Sequence, residues 1–174
     1  KTCETGSFTA GQTKMTRTTC SSCSTGHSCD GTSVETACLA GTYAAGGKSA
    51  CSNCGADNKY SEDKAAKCEA CDAGDFTSGG DDDGNTRTAC SPCSLGHKCD
   101  GNSVQTACLA GTFAAGGADV CSECGADNKY SQAQAAACKT CEAGSFTAEQ
   151  TKMTRTTCSS CSAGYSCDGN SVQT

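Results

Sequence analysis

Twenty cysteines in 174 residues, with seven Cys-x-x-Cys pairs among them, set the chemistry open to this chain. Three chemistries suit that residue type at that spacing. A single Cys-x-x-Cys at a helix N-terminus holds a reactive thiolate and exchanges disulfides. Two pairs brought together make a tetrathiolate zinc site, and Cys51/Cys54 with Cys68/Cys71 has the spacing of a zinc ribbon or knuckle. In an oxidising compartment the same cysteines close loops covalently. The third reading is preferred. The pairs recur without a supporting fold, as joints between loops do, and a fully metallated chain would need about five ions and reducing surroundings.

Other candidates are weaker. His27 and His97 are the two histidines, and both stand where the third copy of the motif has Tyr165, so the position reads as an aromatic packing site and not a general base. Asp81-Asp82-Asp83-Gly84-Asn85 resembles a calcium-loop fragment but lacks the alternation and closing Glu of an EF-hand loop, so a solvated turn is preferred. Ser and Thr crowd the loops, as at Thr16, Thr18, Thr19, Ser21 and Ser22, where O-linked glycan and plain solvation both remain open. Asn58, Asn85, Asn102 and Asn170 all miss the N-glycosylation sequon. No nucleophile, base or cofactor motif rises above background, so an enzyme is not expected.

What must position these residues is a fold with little apolar material. The chain has no Trp and no Ile, and Leu, Val and Phe together make up about a fifteenth of it, well below the ~20% at which a chain holds itself together by burial. Cysteine lies above the ~8–10% that marks a disulfide scaffold in a secreted chain. The expectation is therefore a small disulfide-rich protein, outside the cell or at its surface: an elongated tandem array of cysteine-closed loops, with short β-hairpins, minimal helix and no large hydrophobic core. A net charge of −6 argues against nucleic acid or an anionic membrane as partner. No apolar run approaches the ~18 residues of a membrane span.

The repeats fix the plan. CSSCSTGHSCDG at Cys20 returns as CSPCSLGHKCDG at Cys90 and CSSCSAGYSCDG at Cys158, in steps of 70 and 68 residues. Three cysteine-rich repeats follow: 1–70, 71–138 and a partial third at 139–174. Lys1 is in register with Lys139 and Thr174 with Thr106, so the chain reads as a window of a longer repetitive polymer. Every aromatic falls four to six residues past a cysteine, and each is expected to pack on its own disulfide or the next one. Gly46-Gly47 reads as the turn of a hairpin between Thr42–Ala45 and Lys48–Cys51, and Gly11-Gln12 as another between Ser7–Ala10 and Lys14–Thr19. The Ala-rich stretches Ser61–Cys68 and Ser131–Cys138 leave room for a turn or two of helix.

Closing each loop on its own neighbour joins Cys3–Cys20, Cys38–Cys51, Cys54–Cys68, Cys71–Cys90, Cys108–Cys121, Cys124–Cys138 and Cys141–Cys158. That leaves the small rings Cys23–Cys29, Cys93–Cys99 and Cys161–Cys167. An interlaced alternative, Cys23–Cys38 with Cys29–Cys51, also uses the available partners, and sequence alone leaves both open.

At C-x-A-G-T-(Tyr/Phe)…C-x-x-C, seen from Cys38 and from Cys108, nearly the whole chain resembles the cysteine-rich repeats called ephrin-receptor-like, relatives of the tumour-necrosis-factor-receptor type of module. The interval CSTGHSCDGTSVETAC from Cys23 departs from that module. In its near-identical tandem copies rich in Ala, Gly, Ser and Thr, the chain also resembles surface proteins of protists such as ciliate immobilisation antigens. That resemblance implies an extracellular coat or fibre, self-associating and open to O-linked glycan. The alternative is the ectodomain of a receptor or adhesion protein, with the divergent loop Asp81–Asn85 as its binding patch.

Overall fold

A computed structural model describes residues 2–9, 19–80, 85–147, 151, 155–170 and 173–174. Each loop begins alike. A tight turn follows its opening cysteine: Ser7 N–H donates to Glu4 O at 3.1 Å, Thr42 to Leu39 O at 3.0 Å and Asp75 to Asp72 O at 3.1 Å. In most loops the turn ends on a left-handed glycine, as at Gly6, Gly26, Gly41 and Gly74, and the next two residues form a short strand. That strand pairs antiparallel with the two residues just ahead of the next loop's opening cysteine. Ser7–Phe8 thus pairs with Ser21–Ser22, His27–Ser28 with Thr36–Ala37, Thr42–Tyr43 with Ser52–Asn53, and Lys59–Tyr60 with Glu69–Ala70.

The rule continues along the chain. His97–Lys98 pairs with Thr106–Ala107, Thr112–Phe113 with Ser122–Glu123, Lys129–Tyr130 with Lys139–Thr140, and Ser145–Phe146 with Ser159–Ser160. The longest hairpin joins Asp75–Ser78 to Ala89–Pro92. In most loops the two residues inside Cys-x-x-Cys are therefore a strand, and the pair is a joint between hairpins. The following cysteine seals the ladder, as when Cys23 N–H donates to Gly6 O at 2.9 Å and Cys93 N–H to Gly74 O at 2.9 Å.

The protein is a small disulfide-rich tandem array, with no helix among the described residues. Ten disulfides join the cysteines by nearest neighbours, including Cys23–Cys29, Cys93–Cys99 and Cys161–Cys167. The interlaced pairing is not adopted. Closing a loop of ~15 residues covalently contributes about 3 kcal/mol on the chain-entropy model. Most of what is buried is small: Cys29, Cys38, Cys99 and Cys108, then Ala44, Ala114, Thr77, Thr147, Ser61 and Ser131, with Phe146 and Arg155 the large exceptions.

Two units are formed, Lys1–Cys71 with Thr77–Ser91, and Asp72–Phe76 with Pro92–Thr174. Inside each, successive loops are linked by backbone hydrogen bonds like treads of a stair. In the first unit Gly6 N–H donates to Cys29 O (2.8 Å), Gly26 to Ala44 O (2.7 Å), Gly41 to Ser61 O (2.8 Å) and Ser61 to Arg87 O (3.1 Å). In the second, Gly74 donates to Cys99 O (2.9 Å), Gly96 to Ala114 O (2.9 Å), Gly111 to Ser131 O (3.0 Å) and Ser131 to Arg155 O (3.0 Å). These bonds satisfy turn amides that would otherwise have to pair with water.

The stair explains why glycine recurs at one place. Gly26 sits at φ +73°, and a methyl group there would run into the Lys64 carbonyl of a loop further along. Gly96 meets the Gln134 carbonyl in the same way. Lys64 and Gln134 are themselves left-handed, at φ 59° and 60°, a conformation that only a few per cent of non-glycine residues take.

Three local expectations are corrected by these non-local bonds. Gly46-Gly47 does not turn a hairpin within its loop: Thr42–Tyr43 pairs with Ser52–Asn53, and Lys48 bridges in parallel to Ser28 of the preceding loop. The stretch Ser61–Cys68 makes no helix, because Lys64 N–H goes to Cys38 O (2.8 Å) and Ala65 bridges to Tyr43. Ser131–Cys138 behaves alike, with Gln134 N–H on Cys108 O (2.9 Å) and Ala135 bridged to Phe113. Ser7–Phe8 pairs with Ser21–Ser22, and the Gly11-Gln12 turn lies outside the described residues.

Candidate functional site

The cysteines singled out for chemistry are all in disulfides, and none is free. The four read as a zinc ribbon are all held in disulfides, two of them with each other. Cys51 is bonded to Cys38, Cys54 to Cys68 and Cys71 to Cys90. One carboxylate does come close to sulfur, since Glu35 lies within 4.8 Å of the sulfurs of Cys23 and Cys29. Those sulfurs are bonded to each other, and Glu35 Oε1 accepts the Ser24 N–H at 2.6 Å. Gln105 accepts from Ser94 N–H (2.8 Å) and Gln173 from Ser162 N–H (3.0 Å) at the same position. What recurs is the acceptor and not the charge, so this is a loop clasp. The backbone N–H of Ser24 holds the Glu35 carboxyl below its ordinary value, and the Thr32 hydroxyl does the same for Asp30.

The histidines behave as part of their own turns. Nδ1 of His27 donates to Thr25 O at 3.0 Å, and Nδ1 of His97 to Leu95 O at 3.0 Å. Tyr165, in the same slot, is 60% exposed, so packing does not explain its aromatic ring. Phe146 is the aromatic that is buried among the described residues. Asp81–Gly84 lies outside the described residues.

A buried ionic lock was not legible from spacing. Arg155 is 4% exposed. Its guanidinium donates to Ala126 O at 2.9 Å and to Asp127 Oδ1 at 2.8 Å. Thr147 Oγ1 donates to the backbone oxygen of the same aspartate at 2.6 Å. One repeat earlier Arg87 approaches Asp57 at 3.5 Å, and Thr77 donates to Asp57 O. The Thr-Arg-Thr before Cys90 and Cys158, and the Gly-Ala-Asp-Asn after Cys54 and Cys124, were the available signals. Their 28–30-residue separation hid the pairing. The lock clamps the longest loop onto its neighbour within each unit.

Surface relief repeats too. Tyr60, Ser61, Glu62, Asp63, Lys67 and Glu69 are among the residues lining a groove of about 430 Å³, and Ser131, Gln132, Ala133, Ala137 and Lys139 among those lining one of about 360 Å³. Between them Glu62, Asp63 and Lys67 become Gln132, Ala133 and Ala137, so the shape is kept while the polar groups are not. An apolar groove of about 560 Å³ runs past Thr106, Ala107, Leu109, Thr112 and Val120. Leu109 is 77% exposed and Leu39, its counterpart, 73%.

The described side chains thus assemble staples, clasps and locks, together with a surface whose relief recurs while its polar groups change. Among them no helix is long and apolar enough to cross a membrane. Compared with family models and with curated proteins, the chain matches none.

Proposed function

We propose that this chain is an extracellular structural protein, the repeat subunit of a surface filament, appendage or coat, self-associating and with Ser/Thr-rich loops open to O-linked glycan. One observation carries the reading: whole stretches of the array recur almost letter for letter. CLAGTYAAGG from Cys38 returns as CLAGTFAAGG from Cys108, and KTCETGSFTAGQTKMTRTTC from Lys1 returns as KTCEAGSFTAEQTKMTRTTC from Lys139. A receptor requires one differentiated site, whereas a lattice or fibre needs the same surface many times. The covalent framework supports the reading, because material outside the cell meets oxidants and proteases without chaperones. The resemblance to protist surface proteins points the same way. Electron microscopy of native material tests it. An ordered filament or coat, with an axial repeat matching the modules, is expected; isolated flexible stalks without order would overturn the proposal.

A further inference from the structure

In a chain this poor in aliphatic side chains, their placement is informative. All six described leucines and valines lie at the surface, 59–77% exposed, while the interior is filled mostly by Cys, Ala, Thr and Ser, with Phe146 and Arg155 beside them. The fold therefore does not need them. An apolar side chain in water that serves no core marks a contact surface when it is grouped. Leu109 and Val120 are grouped, since they line one groove with Thr106 and Ala107. The same strand–cysteine–leucine stretch, TACLAGT, stands 70 residues earlier with Leu39 in place of Leu109.

We propose that this leucine-centred groove is the surface by which one copy of the chain holds another, an inference resting on the structural reading above. The area argues for that occupant. Taking one such side chain out of water buries on the order of 60–120 Å², so the four leucines and valines of 71–138 offer roughly 300 Å² and the two of 1–70 about half of that, against the ~800 Å² per partner of a stable interface. A small partner seated on one repeat gains too little. A partner that repeats at the same 70-residue interval gains with every copy, and a second copy of this chain has that interval by construction. Charge sets the condition under which it forms. The 71–138 repeat carries three Lys/Arg against nine Asp/Glu, whereas 1–70 has seven of each and 139–174 three of each. Like-charge repulsion at the middle repeat opposes pairing until salt screens it.

Sedimentation velocity of the disulfide-intact chain tests this at about 0.05 M and 0.5 M salt. The expected result is concentration-dependent association that tightens at the higher salt. Leu39→Ser with Leu109→Ser should raise the dissociation constant about tenfold or more, with disulfides and hairpin amide protection unchanged. Val120→Ser, on the facing wall of the groove, should shift it in the same direction; the first repeat has Ala50 there, so a small residue is tolerated. Lys67→Ser, distant in sequence from either leucine, should change nothing. A chain that stays monomeric at both salts, association that weakens with salt, or leucine and valine variants that associate like the parent would each overturn the proposal. Native filaments with unimpaired association of the variants would sink this surface and leave the structural reading standing. Absent filaments, with variants that still dissociate, would do the reverse.

Discussion

Placing one methyl group at two glycines of similar φ separates strain from collision. Gly26 lies at φ +73° and Gly47 at φ +60°. An added Cβ at Gly47 meets open space, whereas at Gly26 it meets the Lys64 carbonyl. The left-handed conformation costs an L-residue roughly 1–2 kcal/mol, partly offset by the ~0.4–1 kcal/mol that alanine takes from unfolded-chain entropy. Gly47→Ala should therefore cost about 1 kcal/mol. Gly26→Ala must also displace a carbonyl at the meeting of three backbone bonds: Gly26 N–H to Ala44 O (2.7 Å), Cys38 N–H to Gly26 O (2.9 Å) and Lys64 N–H to Cys38 O (2.8 Å). At ~0.5–1.5 kcal/mol each, their loss adds about 3 kcal/mol. Native-state hydrogen exchange at the Lys64 amide reads this as local opening. Gly26→Ala should cut protection roughly a hundredfold more than Gly47→Ala, at ~1.4 kcal/mol per factor of ten. Equal protection in the two variants would refute the stair of inter-loop bonds.

Three further outcomes follow from the same geometry. Lys64→Gly relieves a left-handed lysine at φ 59° and should stabilise by a few tenths to about 1 kcal/mol, net of the entropy glycine adds to the unfolded chain; a loss of stability in urea titration would contradict it. Arg155→Ala should cost about 2–4 kcal/mol by stripping donors from Ala126 O and Asp127, and Arg87→Ala less, because its ion pair is longer at 3.5 Å; denaturant midpoints rank the two. The Glu35 carboxyl is held below its usual value by Ser24 N–H, so its contribution is full above the ordinary carboxylate range and is lost as pH falls through the lowered value. Exchange at the Ser24 amide should quicken with acid in the parent, beyond the intrinsic rate, and not in Glu35→Gln, which mimics Gln105 and Gln173.

Much of the fold was legible because covalent spacing is local. An even cysteine count and a 70-residue period narrow the pairing to two schemes, of which closing each loop on its own neighbour is the one adopted, and scarcity of Leu, Val and Phe leads to the absence of a large core. What misled was local turn and helix chemistry. Gly46-Gly47 has the composition of a hairpin turn, but Lys48 answers to Ser28 in the loop before it. Ser61–Cys68 has helical composition, yet it is too short to nucleate alone, and the Cys38 carbonyl captures the Lys64 amide. The Arg155–Asp127 lock spans 28 residues and has no periodicity to betray it. The exposed leucines were in plain view as CLAG, but only burial shows that the interior does without them.

The account turns on shape held by nearest-neighbour disulfides. Peptide mapping by mass spectrometry, on protein isolated without reductant, measures that directly. It should recover ten links, with Cys23 joined to Cys29, Cys93 to Cys99 and Cys161 to Cys167 as the discriminating small rings. Free thiols, bound metal, or a Cys23–Cys38 link would contradict it.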